Sequence, residues 1–210
     1  MLDGGVDINN TRGRGFATAL EAALAVSGRE PEQGSKKETR IADWGMAKTS
    51  RVRFLLDRGA DVNVQGGRYG FPLQAACCET KRSQTHCDRC FVGVKFLLDN
   101  CPDIHINAQG GTHGTALQAA AYWGQTLSVK ALLQHGADVN LRGGKCRSAL
   151  NAAIFRHFWD IVEILLEAGA TPDCQLLSEP DEEWLAQVQE EEGQGAVQRY
   201  HVFWEKHKST

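Results

Sequence analysis

The densest set of chemically capable side chains lies in the stretch CCETKRSQTHCDRC, which carries Cys77, Cys78, His86, Cys87 and Cys90. Cys87 and Cys90 have C-x-x-C spacing, and with Cys78 and His86 they would supply the four sulfur and nitrogen ligands of a tetrahedral zinc site. The stretch lacks the second matched pair that makes such spacing a strong zinc signal. Cys77 also falls where a repeated phrase elsewhere writes Ala121, so a small packing residue accounts for it. A redox role for the C-x-x-C pair would need a thioredoxin-like strand–helix–strand setting, which the flanking residues do not form. The expectation is a chain that needs no metal or cofactor, with a zinc-stabilised module on Cys78, His86, Cys87 and Cys90 as the alternative.

The remaining reactive residues are dispersed. Seven histidines are present, and His86, His113, His135, His157 and His201 fall in different parts of the chain. His135 immediately precedes a glycine that closes a helical pattern, a place where a partial positive charge is favoured. No G-x-S-x-G, H-E-x-x-H, phosphate-loop or dinucleotide-binding glycine pattern occurs in a fitting context. Asp181, Glu182 and Glu183 read as a solvated helix start rather than as catalytic carboxylates. No catalytic site is expected.

The elements that position these residues follow from the bulk numbers and from repetition. The chain has 210 residues, is 42% hydrophobic and 23% charged, and carries a formal net charge of -3. That balance gives no reason to expect nucleic acid or an anionic membrane as partner. No run of 18 apolar residues is present, and the first ten residues lack the basic head and apolar core of a secretory signal. With seven cysteines and no signal, reduced thiols in the cytoplasm or nucleus are expected.

One phrase is written three times. Asn63 to Ala76 reads NVQGGRYGFPLQAA, Asn107 to Ala120 reads NAQGGTHGTALQAA, and Asn140 to Ala153 reads NLRGGKCRSALNAA. The leucine in this phrase, at Leu20, Leu73, Leu117 and Leu150, recurs at spacings of 53, 44 and 33. A second ruler, the Leu-Leu pair at Leu55, Leu97, Leu132 and Leu165, recurs at 42, 35 and 33. The regular period is thus 33, with insertions in the earlier units. Within a unit, the Gly-Gly pairs at Gly66, Gly110 and Gly143 suit a tight hairpin turn, since glycine takes positive φ freely. Thr18, Thr115 or Ser148 can cap the helix start that follows. A short alanine-rich helix comes next, then a second helix with Ile161, Val162, Leu165 and Leu166 at helical spacing, closed by Gly136 or Gly169. One such unit cannot bury its apolar face alone, whereas stacked units share a continuous core.

The pattern assigns residues 1–173 to the repeat array, about four units with the first truncated. MLDGGVDIN reads as the tail of a second helix running into a hairpin. Insertions fall near 28–47 and 80–89, and their polar, Gly- and Pro-containing wording reads as surface loop. Residues 174–210 leave the repeat and hold eight acids against three bases. Ser178, Pro180 and the stripe Trp184, Leu185 and Val188 predict a C-terminal helical cap or tail there.

The order GADVN, TALQAA, VKALLQHGADVN resembles the ankyrin repeat, whose signature is a 33-residue helix pair containing T-P-L-H-x-A. Here Thr115-Ala116-Leu117-Gln118 stands in for that tetrapeptide, Pro72-Leu73-Gln74 keeps its proline, and Phe71 departs from the capping threonine, so that unit's first helix should start less firmly. The wording is similar to ankyrin arrays of filamentous fungi, which often sit behind signalling domains. The resemblance implies an all-α ankyrin-repeat α-solenoid with β-hairpin-like turns between helix pairs. It also implies a non-catalytic scaffold, here a monomer, that binds a protein partner on its concave face. By that alignment the exposed hairpin tips are Arg68, Tyr69, Thr112, His113, Lys145 and Arg147. The exposed first-helix positions are Tyr122, Trp123, Phe155 and Arg156, beside Cys78 and Glu79. The tips are mostly basic, so an acidic protein surface is the expected partner. A regulatory fragment of a larger fungal signalling protein is a further alternative.

Overall fold

The computed structural model describes residues 7–11, 18–25, 37–78 and 84–172, together with Gln198, Val202 and Glu205 as single helical residues. Side chains of 37–45 and 84–90 lie outside that description. The chain divides into two units, Met1–Gly169 and Ala170–Thr210, and the described helices longer than one residue belong to the first. The cap expected over 174–210 therefore lies outside the described residues, apart from those three single positions.

Four helix pairs make up the first unit: α1 (Ala19–Ala25) with α2 (Lys37–Asp57), α3 (Pro72–Cys77) with α4 (Gln84–Asn100), α5 (Ala116–Tyr122) with α6 (Thr126–Gln134), and α7 (Ala149–Phe155) with α8 (Trp159–Glu167). First helices pack on first helices, α1 on α3 on α5 on α7, and second helices form a parallel row, α2 on α4 on α6 on α8. The alanines explain the close first row. Ala75, Ala119, Ala120 and Ala153 are fully buried, and a larger side chain would push the helices apart. Leu97, Leu132 and Leu165, on α4, α6 and α8, are also fully buried, and Val52 is buried on α2, so the apolar seam runs through the stack.

Each turn is a hairpin closed by a single antiparallel bridge, Gly66 to Gly70, Gly110 to Gly114, and Gly143 to Arg147. Among the described residues no longer strand forms, so the unit is an all-α solenoid with hairpin-like turns. Neighbouring units are latched by one asparagine each. The Asn63 amide donates to the Asp103 carbonyl at 2.9 Å and its oxygen accepts from the His105 N–H at 2.8 Å. Asn9 bridges Gly59 and Asp61 in the same way, and Asn107 bridges Gly136 and Asp138. Asn140 repeats the first half of the latch on the Gly169 carbonyl at 3.0 Å. Asn63 and Asn140 end the wording D-V-N, Asn9 ends D-I-N and Asn107 ends H-I-N, so the asparagine recurs where its two predecessors vary.

Caps form where hydroxyls stand. Thr18, Thr115 and Ser148 accept from the N–H groups of Glu21, Gln118 and Asn151 at 3.1, 3.2 and 3.1 Å. Phe71 has no acceptor, as its chemistry requires; α3 is instead started by Pro72 at its first position and by the Gln74 oxygen, which accepts from the Phe71 N–H at 3.2 Å. The inserted stretches differ from the loop expectation. Residues 37–47 are the first half of α2, and 84–89 open α4. The helix breakers of the first insertion sit upstream, at Gly28, Pro31 and Gly34, and KKETRIADW beyond them has no Gly or Pro and carries the good helix formers Lys, Glu, Arg and Ala.

Candidate functional site

The hairpin tips are joined into one row by their backbones. The Thr112 N–H donates to the Arg68 carbonyl at 3.1 Å, and the Lys145 N–H donates to the Thr112 carbonyl at 3.2 Å. Arg68, Thr112 and Lys145 are therefore in register, as are Tyr69, His113 and Cys146 one residue on. All three hairpins owe this geometry to a residue at positive φ directly after the bridge glycine, Gly67, Gly111 and Gly144. Arg68, Lys145 and Arg147 are exposed, while Tyr69, Thr112 and His113 are half-buried.

Beside the tips, the ends of α5 and α7 carry the rings. Tyr122 and Phe155 occupy the same place in successive units and stack with centroids 6.4 Å apart and planes 17° apart. Tyr122 also meets Trp123 edge-on at 5.3 Å and His113 at 4.7 Å, and His113 lies 6.0 Å from Trp123. The Arg156 guanidinium sits 5.1 Å from the Tyr122 ring centre, a cation–π distance. Arg68 covers Tyr69 at 5.5 Å in the same manner. Two units thus bring His113, Tyr122, Trp123, Phe155 and Arg156 into one cluster, with Arg68, Lys145 and Arg147 on its tip side.

The rings are not equally available. Phe155 is 57% exposed, the largest exposure of an aromatic side chain among the described residues. Trp123 is half-buried, and its indole N–H is buried without an oxygen or nitrogen acceptor. That N–H faces the Cys78 sulfur, a weak acceptor, so Trp123 also packs its own unit onto the preceding one. The exposed anchor of the cluster is Phe155.

Electrostatics follow from burial and from the cations. Burial, then Lys145 and Arg68, hold the His113 pKa below the ordinary imidazole value. Burial raises the Tyr69 hydroxyl and the Cys146 thiol, with Arg68 opposing at Tyr69 and Arg156 and Lys145 opposing at Cys146. All three groups are therefore neutral at physiological pH, and the formal charge of the row is that of its arginines and lysine. Cys78, the first of the candidate zinc ligands, is buried, and burial pushes its thiol up to about 12 against the pull of the Trp123 N–H and Arg68. In the metal-free protein Cys78 is therefore a buried, protonated thiol packed against Trp123. Side chains of His86, Cys87 and Cys90 fall outside the described residues, as does Glu79. Among the described residues no group of three metal-ligating side chains gathers.

Sequence reading did not find two features of this region. Cys146 stands on the tip between Lys145 and Arg147, in register with His113. A buried glutamine, Gln125, donates to the Cys77 carbonyl at 2.8 Å and accepts from the Ser128 hydroxyl at 3.0 Å, closing the end of α3 from the next unit. Neither carries a recognisable motif, because each depends on the stacking of units.

Comparison with known proteins agrees with this architecture. The family model for ankyrin repeats (3 copies) matches residues 45–143 and 90–175. An ankyrin repeat and KH domain-containing protein of Caenorhabditis briggsae is 29% identical over 183 residues, covering 75% of this chain and 7% of that protein. Two spider toxins match shorter stretches. Alpha-latrotoxin-Lg1a of Latrodectus geometricus is 38% identical over 114 residues, covering 54% of this chain and 8% of the toxin. Alpha-latrotoxin-Lt1a of Latrodectus tredecimguttatus is 36% identical over 70 residues, covering 33% of this chain and 5% of the toxin. The chain thus spans less than a tenth of the length of each of these relatives. With the 33-residue period, the paired helices, the hairpin bridges and the matched family model all in the same phase, the chain belongs to the ankyrin repeat family.

Proposed function

We propose that this chain is a non-catalytic scaffold whose inner face, made of hairpin tips and first-helix ends, holds an acidic segment of a partner protein. Ankyrin repeats serve generally as protein–protein interaction modules, and the family is typically non-catalytic. The observation that carries the finer reading is the ring cluster itself. An exposed Phe155 stacked on Tyr122 under the Arg156 guanidinium leaves apolar area and positive charge in water, where aromatic and arginine side chains dominate interface energies. Arg68, Lys145 and Arg147 extend the positive charge along the tips, which favours acidic partners and disfavours basic ones. Arg147 holds φ at 65°, a conformation that costs an arginine free energy, and such strain is most often found at functional positions.

The test is capture of partners by purified wild-type protein and by the double variant Phe155→Ala/Arg156→Ala. Both substitutions are at half-buried or exposed positions, so the fold should survive, and circular dichroism checks that it does. The expected result is a set of captured proteins that the variant loses at least about tenfold, as for an interface anchor. Matching sets from two folded baits would end the reading.

A further inference from the structure

The tip row contains an arrangement that the ring cluster alone does not explain. Arg68 and Lys145 belong to the hairpins before and after the one that bears His113. The backbone bonds from Thr112 to Arg68 and from Lys145 to Thr112 fix the three hairpins side by side. His113 is half-buried against Tyr122 and Trp123. By hairpin register the neighbours of His113 are Arg68 and Tyr69 on the preceding hairpin and Lys145 and Cys146 on the following one, and its ring meets Tyr122 and Trp123 from the end of α5. From α7, Arg156 lies over Tyr122. The charges that act on His113 come from Lys145 and Arg68, and both are positive. An imidazole placed between two cations is neutral in the free protein, and it becomes a better base as soon as an anion joins them.

We infer that Arg68, His113 and Lys145 form a subsite for a carboxylate of a partner peptide, and that His113 takes up a proton as the carboxylate seats. This rests on the inner-face reading above and adds to it the ligand chemistry and its coupling to pH. Burial is the first cause that holds the proton off and stays in place; the carboxylate offsets the field of both cations and gives imidazolium an acceptor, and that gain outweighs the burial. Next to the subsite, Phe155 and Tyr122 offer a surface for an apolar or aromatic side chain of the same peptide. The sign of the coupling is fixed. The bound pKa lies above the free one, so binding takes up a proton. Affinity therefore rises as pH falls from the bound to the free value, and is flat outside that window. Each unit by which binding raises the His113 pKa corresponds to about a tenfold span in affinity.

The test uses a fluorescein-labelled nonapeptide, three glutamates, tyrosine, leucine, phenylalanine and three glutamates, and a control with glutamine for every glutamate. Fluorescence anisotropy gives Kd from about pH 8 down to about pH 5.5, where the peptide carboxylates stay ionised. The His113 ring proton shift, followed by NMR with and without peptide, gives its pKa directly. In wild type, binding should tighten several-fold toward acid, and the His113 pKa should rise on binding. His113→Gln should lose the slope, while the glutamine control binds weakly throughout. An unchanged or lowered His113 pKa on binding, or equal slopes in wild type and His113→Gln, overturns the subsite. If Phe155→Ala still weakens binding in that case, the inner-face reading stands without it. No binding of the glutamate peptide at any pH overturns both.

Discussion

The third and fourth units, residues 107–139 and 140–169, are built from nearly the same words yet differ in the polar side chains at two equivalent positions. In the third, Gly114 follows the tip with φ +89, and a Cβ there would strike the Gln118 oxygen and come within 2.8 Å of the Gly143 and Gly144 backbone of the next hairpin. Gln118 then reaches across, donating to the Leu141 carbonyl at 2.9 Å and the Arg147 carbonyl at 3.2 Å. In the second unit, Gly70 and Gln74 do the same toward the third. The fourth unit has Arg147 where the others have glycine and Asn151 where they have glutamine. The Asn151 side-chain nitrogen is buried without a partner, one methylene shorter than the glutamines that bridge. The lesson is that the hydrophobic seam and the polar couplings are separate devices. The fourth unit keeps the first and alters the second.

Where the units are alike, they should respond alike, and that is the largest expected effect. Leu132 and Leu165 are both fully buried in the seam. Changing either to alanine should lower the unfolding free energy by about 2–5 kcal/mol, read from urea midpoints. Losses that differ sharply between the two would show that the seam does not continue equally through the fourth unit.

The glycines come next and sharpen the contrast. Gly114→Ala combines a positive φ with backbone contact to the next hairpin, so about 3 kcal/mol should be lost. Gly136 has φ +87 but open space around its would-be Cβ, so Gly136→Ala should lose only about 1 kcal/mol. Equal losses would mean that strain alone, and not hairpin stacking, makes Gly114 necessary. The glutamines follow. Gln118→Ala leaves the buried Thr115 N–H and two carbonyls with fewer partners, a loss of about 2 kcal/mol. Asn151→Ala removes a group whose nitrogen is already orphaned, and should change stability by less than about 0.5 kcal/mol.

How much of this was legible in the sequence can be traced residue by residue. Leu73, Leu117, Leu150 and the hydroxyl caps repeat at a fixed phase, so period and propensity placed the helix pairs and turns without further information. The expectation that Phe71 would weaken the start of α3 captured the missing side-chain cap, but not Gln74, whose oxygen takes over that N–H from three residues downstream. The first insertion changes character at Lys37: Gly28, Pro31 and Gly34 favour a loop and the residues after them allow a helix, so its average composition hides the start of α2. Of the candidate site, the repeat makes legible which hairpin tips and helix ends become neighbours. It does not make exposure legible. Trp123 turns to Cys78 while Phe155 stays in water, a difference set by what the neighbouring unit offers at the same position: a cysteine before Trp123 and Tyr122 before Phe155.

Another small effect separates stability from binding. Arg147 takes φ 65°, where its two counterparts are glycines. Left-handed backbone costs a residue with a Cβ about 1–2 kcal/mol, and glycine recovers that while giving back part of it through a freer unfolded chain. Arg147→Gly should therefore stabilise the protein by roughly 0.5 kcal/mol, visible as a small rise in urea midpoint at unchanged slope. The same change removes one of the cations at the tips, so binding to the glutamate peptide should weaken about two- to threefold, and less at high salt, where exposed charges are screened. A variant that gains stability and loses affinity would show that the arginine is kept at this strained position for the tip row rather than for the stack. A variant that loses more than about 1 kcal/mol would instead show that the Arg147 side chain holds the fourth unit together, and the contrast between the third and fourth units would then be one of different couplings rather than of a coupling altered for binding.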